Sequence, residues 1–106
     1  MELKEFYARL KQLDIPVAYR CFDKKTTLPF AVYFVDSEDI RGADYVNLIS
    51  EKQIIVELYV TKKDTALECR FESLFPEFEM EKYEVYIESE KILQIAYHMN
   101  LINIRR

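Results

Sequence analysis

The apolar positions change their period once near the middle of the chain, within KQIIVELYVTKKDTALECRFESLFPEF, residues 52–78. Over residues 53–61 they alternate, with Ile54, Val56, Leu58 and Val60 on one face and Ile55, Glu57, Tyr59 and Thr61 on the other, which predicts a strand. From Asp64 the spacing becomes helical: Leu67, Phe71, Leu74, Phe75 and Phe78 fall on one stripe. A strand face followed at once by a helix stripe predicts that the two pack together. Asp64 or Thr65 can cap the helix, Thr65 forming a capping box with Glu68, and Pro76 stops it.

The same reading places the other elements. Leu3, Phe6, Tyr7, Leu10 and Leu13 recur at helical spacing over residues 2–13, and Pro16 closes that helix. Residues 17–22 form a short strand, and DKKTT a polar turn. Pro29 can precede a strand but not sit inside its ladder, so the next strand is residues 30–35, whose continuous apolarity predicts burial on both faces. Residues 36–44, DSEDIRGAD, read as the main irregular segment, with Gly42, the one glycine in the chain, marking a special turn or bulge. Residues 45–50 are then a strand entering a hairpin with 53–61. In residues 83–88, Tyr83, Val85 and Ile87 alternate with Glu84, Tyr86 and Glu88, predicting an inner and an outer face, and residues 88–91 turn the chain. Along residues 92–104, Leu93, Ile95, Tyr97, Met99 and Leu101 share a face opposite Gln94, Ala96, His98, Asn100 and Ile102. The expected order is helix, four strands, helix, two strands: one α+β domain over residues 1–106, with a mostly antiparallel sheet and two helices packed on one face.

Composition fits such a unit. Half of the 106 residues are apolar, with eight Tyr and seven Phe to fill a core, which excludes a disordered chain. No apolar run spans a bilayer and the amino terminus is unlike a signal peptide, so an intracellular, non-membrane protein is expected. Fifteen Lys and Arg against 19 Asp and Glu give a net charge of −4, which argues against tight, sequence-independent nucleic-acid binding. The excess of acid is sharpest over residues 77–91, with six Glu and two Lys.

Chemistry is hard to assemble from these residues. His98 is the one histidine, and Cys21 and Cys69 lack zinc or CxxC spacing, so no metal site or redox motif is formed and both thiols are expected unpaired. A thiol enzyme pairing a cysteine with His98 is the least favoured alternative. A single glycine rules out P-loop, GxGxxG and GxSxG motifs. Asp36, Glu38, Asp39 and Asp44 gather oxygen ligands without EF-hand spacing. Together with Arg41 they are expected to form a docking loop. Phe30, Phe34, Tyr59, Phe71 and Phe75 are read as core, since no basic groove is evident beside them.

In LPFAVYF at residues 28–34, the acidic segment followed by DYV at 44–46, IVELYVTKKD at 55–64 and YIESEK at 86–91, the chain resembles the small tail-completion or tail-terminator proteins of long-tailed bacteriophages and prophages. The resemblance implies a structural, non-enzymatic role with no cofactor: a ring, often a hexamer, that caps the tail tube and joins it to the head. The implied partners are the tail-tube protein and the head-connector protein, with DNA passing through the ring, and the implied location is the virion tail after assembly in the host cytoplasm. The chain ends shortly after Ile104, at Arg105-Arg106, leaving little for a C-terminal docking arm. The rival reading is a generic oligomeric α+β binding module.

Overall fold

The computed structural model describes residues 1–43 and 47–105, with side chains described for 1–42 and 49–102. Helix α1 (Leu3–Leu10) runs into a 3-10 turn (Lys11–Leu13), followed by β1 (Val17–Tyr19), β2 (Phe30–Ala43), β3 (Asn47–Val60), α2 (Thr65–Leu74), β4 (Glu81–Ile87) and β5 (Ile92–Arg105). The five strands form one sheet in the order β1-β2-β3-β5-β4, with β1 parallel to β2 and the other pairs antiparallel. This is the expected α+β architecture with one strand fewer, because residues 47–50, the described part of the expected 45–50 strand, and residues 53–60 belong to a single strand.

Both helices lie on one face of that sheet. Phe6 and Leu10 of α1, and Leu67, Phe71 and the following Phe75 of α2, are buried against Tyr33, Ile54, Val56, Leu58, Ile95 and Tyr97. Phe6 stacks on Phe75 at 4.6 Å, which joins the helices to each other as well as to the sheet. Asp64 caps α2, its side chain accepting a hydrogen bond from the Leu67 backbone N–H at 3.0 Å. At the other end Arg9 donates to the Leu74 carbonyl at 3.0 Å and to both Glu77 oxygens at 2.7 and 2.8 Å, so α1 supplies a cation to the C-terminus of α2. Asp14, with φ 60°, ends the first helical segment before Pro16 is reached, and Arg20, with φ 67°, ends β1 earlier than its apolar pattern suggests.

The largest departure from the sequence reading is at residues 36–43, which continue β2 instead of forming a loop. Ser37 to Ala43 pair residue by residue with Gln53 to Asn47, and Glu51 and Lys52 lie inside β3 instead of in a turn. The polar composition that suggests a loop has another cause: residues 36–42 are exposed, so their side chains meet solvent while the ladder with β3 satisfies the backbone. Gly42 sits in the ladder opposite Leu48 with no positive φ, and the register shift falls between Val35 and Ser37, at Asp36. Strand β4 is also turned over relative to expectation. Lys82, Glu84 and Tyr86 pair with Tyr97, Ile95 and Leu93 and share their helix-covered face, while Tyr83 and Val85 lie with Ala96 and Gln94 on the open face.

Candidate functional site

β2, β3 and β5 each run 14 residues, whereas the edge strands are short. β1 pairs with β2 at Ala31 to Tyr33 and β4 with β5 at Ile92 to His98. Beyond those points β2, β3 and β5 form a three-stranded arm whose two outer edges have no paired strand among the described residues. Side chains stand in for the missing strand where β1 stops: the Val35 N–H donates to the Tyr19 hydroxyl at 3.3 Å, and Arg20 donates to the Val35 carbonyl at 3.2 Å. The bulge at Asp36 follows directly, a device that discourages uncontrolled edge pairing.

Of the five residues expected to form a docking loop, four are brought onto this arm and divided between its faces. Glu38 lies on the helix side, accepting a hydrogen bond from the Ser50 hydroxyl at 2.5 Å and pairing with Lys52 at 3.5 Å. Ser50 and Lys52 are themselves buried, so Glu38 is part of the arm's packing. Asp39 and Arg41 fall on the open face, where Arg41 pairs with Glu51 at 3.4 Å; Asp36 is exposed at the bulge. Asp44 lies outside the described residues.

Sequence reasoning missed a groove at the opposite end of the open face. Its volume is about 950 Å³, its floor is Phe22, Phe30, Val32, Tyr59 and Ile92, and Arg20, Lys24 and Lys25 stand on its rim with Glu90. Phe30 and Tyr59 stack at 5.0 Å, and Phe22 meets Phe30 edge-on at 5.2 Å. Phe30, Phe34 and Tyr59 are therefore half-buried on the open face, not in the helix-covered core, and basic residues accompany all three, Arg20 standing over the Phe34 ring at 5.4 Å. Burial, with the Glu57 carboxylate at 2.9 Å, pushes the Tyr59 phenol up to about 12, although it accepts a hydrogen bond from Gln94 at 2.8 Å. The phenol is a fixed polar group of the floor and stays protonated. The signal was available: Phe22, Phe30 and Tyr59 flank a Lys-Lys pair once β2 and β3 are paired in register.

On the helix side, α2 and β4 meet through charges. Glu68 is buried, 2.6 Å from Lys82 and 3.0 Å from Lys63, and its Oε2 has no aligned hydrogen bond. Lys82 also reaches Glu72 at 2.9 Å, Glu72 accepts from the Tyr97 hydroxyl at 2.7 Å, and Lys63 reaches Glu84 at 2.7 Å. Burial pushes the Glu68 carboxyl up, but the two ammonium groups together outweigh it and hold the carboxyl below its ordinary value. Hydrogen bonds from Tyr97 and Lys82 lower Glu72, and the Glu68 carboxylate raises Lys82. Mixed-sign charge, with Lys82 and Glu84 facing inward, explains why β4 presents its polar alternation to α2.

His98 is exposed on the open face and meets Tyr83 edge-on at 5.0 Å. Cys69 is on α2, so the sheet separates it from His98; Cys21 lies in the groove, whose lining does not include His98. Neither thiol is brought to the imidazole. Among the described residues no helix is long and apolar enough to cross a membrane. No protein-family model matches the chain, and no curated protein matches it.

Proposed function

We propose that the protein is a structural tail-completion protein of a long-tailed phage or prophage, which assembles as a ring, caps the tail tube and takes part in joining the tail to the head. The observation that carries the reading is the arm. The core runs a short way past the ends of β1 and β4, to Met99 and Leu101, and three strands continue beyond it to Ala43, Asn47 and Arg105, giving an overall length of 51 Å against 27 and 22 Å in the other directions. Continuing an ordered ladder into solvent costs conformational entropy without burying a comparable apolar core. Such an extension is useful to a subunit that must reach its neighbours, and the resemblance in sequence supplies the setting. The partners in this reading are further copies of the chain, the tail-tube protein and the head-connector protein; the site of action is the virion tail, after assembly in the host cytoplasm. The chemistry is that of recognition, with no catalytic step and no cofactor.

Electron microscopy of lysates from a phage lacking this gene tests the reading. Filled heads and separate tails of irregular length are expected, with normal particles restored by the gene in trans. Joined particles with tails of uniform length in its absence would overturn it.

A further inference from the structure

We propose that the open-face groove of one copy receives strand β4 of a second copy, the acidic edge strand against the basic rim, and that repetition of this contact closes the ring. The inference rests on the ring reading above and locates its interface.

Strand β4 has the features of an uncovered contact. It is the outer strand of the sheet, exposed at every position except Ile87. Tyr83 and Val85 stand on its open face, 50% and 48% exposed, and Tyr86 on the other face is 55% exposed. A seven-residue edge strand that exposes Tyr83, Val85 and Tyr86 among its charges, with no strand paired to its outer side among the described residues, is a template for another chain. The alternation Tyr83-Glu84-Val85-Tyr86-Ile87 would suit a covered strand, but the fold covers the wrong side of it: Tyr83 and Val85 have no helix above them. Only an intermolecular partner can bury them.

The groove offers what β4 lacks. Phe22, Phe30, Tyr59 and Ile92 give an apolar floor able to take Tyr83 and Val85, and three cations stand at its margin against one carboxylate, Glu90. Around β4 the balance is reversed, with Glu79, Glu81, Glu84 and Glu88 exposed. Glu84 is held by Lys63, while Glu81 accepts a hydrogen bond from the Tyr83 hydroxyl at 2.6 Å but forms no ion pair among the described residues, so Glu79, Glu81 and Glu88 supply the negative charge to face Lys24 and Lys25. Charge complementarity therefore selects a second copy of this chain as the occupant. The two surfaces are different patches that adjoin at one corner: the groove crosses β2 and β3 to Ile92, which pairs with Ile87, whereas Tyr83 and Val85 lie further along β4, outside its lining. A contact between unlike patches is heterologous: it propagates head to tail and terminates only when a ring closes.

Charge reversal of each surface provides the test, read by sedimentation velocity and native mass spectrometry on the full chain. Lys24→Glu with Lys25→Glu, and separately Glu79→Lys with Glu81→Lys, should each weaken self-association at least about tenfold while the unfolding midpoint stays near wild type, because like charges then face each other. Mixing the two variants should restore assembly, since each then meets a partner of opposite sign, and the quadruple variant should assemble alone. Tyr83→Ala with Val85→Ser should also weaken assembly, without charge change. Rings that form equally well from all these variants would overturn the interface while leaving the ring reading in place. A wild-type chain that stays monomeric at every concentration, while its gene is still needed for capped tails, would overturn both the interface and the self-assembled ring and leave only the role at the tail. Loss of assembly on charge reversal in a protein whose gene is dispensable for tails would keep the interface and remove the phage role. A groove that binds single-stranded oligonucleotide through Lys24 and Lys25 without self-association would make nucleic acid the occupant and overturn the inference.

Discussion

Phe71 of α2 and Tyr97 of β5 face each other at 4.4 Å between ring centroids, both without solvent exposure to speak of, and Tyr97 continues from that contact to donate its hydroxyl to Glu72, the next residue of the same helix. One side chain of the sheet thus holds α2 through an apolar contact with Phe71 and a polar one with Glu72. Phe71→Ala should cost about 3–5 kcal/mol, the usual range for emptying an aromatic core site. Denaturant unfolding checks it, and an unchanged midpoint would show that α2 does not pack here.

Acid should destabilise the protein through named carboxylates. Glu68 and Glu72 are held below the ordinary value of 4.5, and Glu77 is brought to about 2 chiefly by its hydrogen bonds from Arg9. A carboxyl whose folded value is depressed contributes stability that is fully present above its unfolded value and lost as pH falls through the folded one. The contribution of Glu77 should therefore fade between pH 4.5 and about 2. Stability measured against pH should show a shallower acid limb in Glu77→Gln and in Glu68→Gln than in wild type.

The buried acid at the α2–β4 contact makes its partners unequal to ordinary surface lysines. Lys82→Met leaves Glu68 with Lys63 alone and Glu72 without its lysine, and should cost about 1–3 kcal/mol, the range for stranding a buried acceptor. Lys62→Met, one residue from Lys63 but outside the network, should fall within about 0.5 kcal/mol of wild type. Thermal unfolding of the pair separates the two expectations.

On the arm, residues that look equivalent in the sequence should behave differently. Asp36→Ser and Asp39→Ser change exposed groups and should move stability by no more than about 0.5 kcal/mol. Glu38→Ser removes the acceptor of Ser50 and the counter-charge of buried Lys52, and should cost about 1–3 kcal/mol. If a triple Ser variant fails to assemble, the single variants tell whether docking or the fold of the arm was lost.

Asp64→Ala should cost about 1 kcal/mol by removing the cap of α2, whereas Thr65→Ala should cost less, because Thr65 is already the first residue of the helix. Unfolding midpoints of the two variants decide between the caps that the sequence left open.

Helices, and strands with one buried face, were legible because their apolar spacing records the face that leaves water: Ile54, Val56 and Leu58, the Leu67-Phe71-Phe75 stripe, and Ile95, Tyr97 and Met99 all lie where their period put them. That pattern determined the α+β class and the packing of two helices on one side. It could not determine the β2 part of the arm, because residues 36–42 are exposed on both faces, and a strand without a buried face carries no apolar period to read. Nor could it orient β4, whose two faces both carry aromatic and charged residues; burial of Glu68 and its need for Lys63 and Lys82 decided which face turned inward. The groove was likewise a tertiary product, made by the 20–28 loop standing over paired Phe30 and Tyr59, which lie far apart in the chain and meet only through the β2–β3 register.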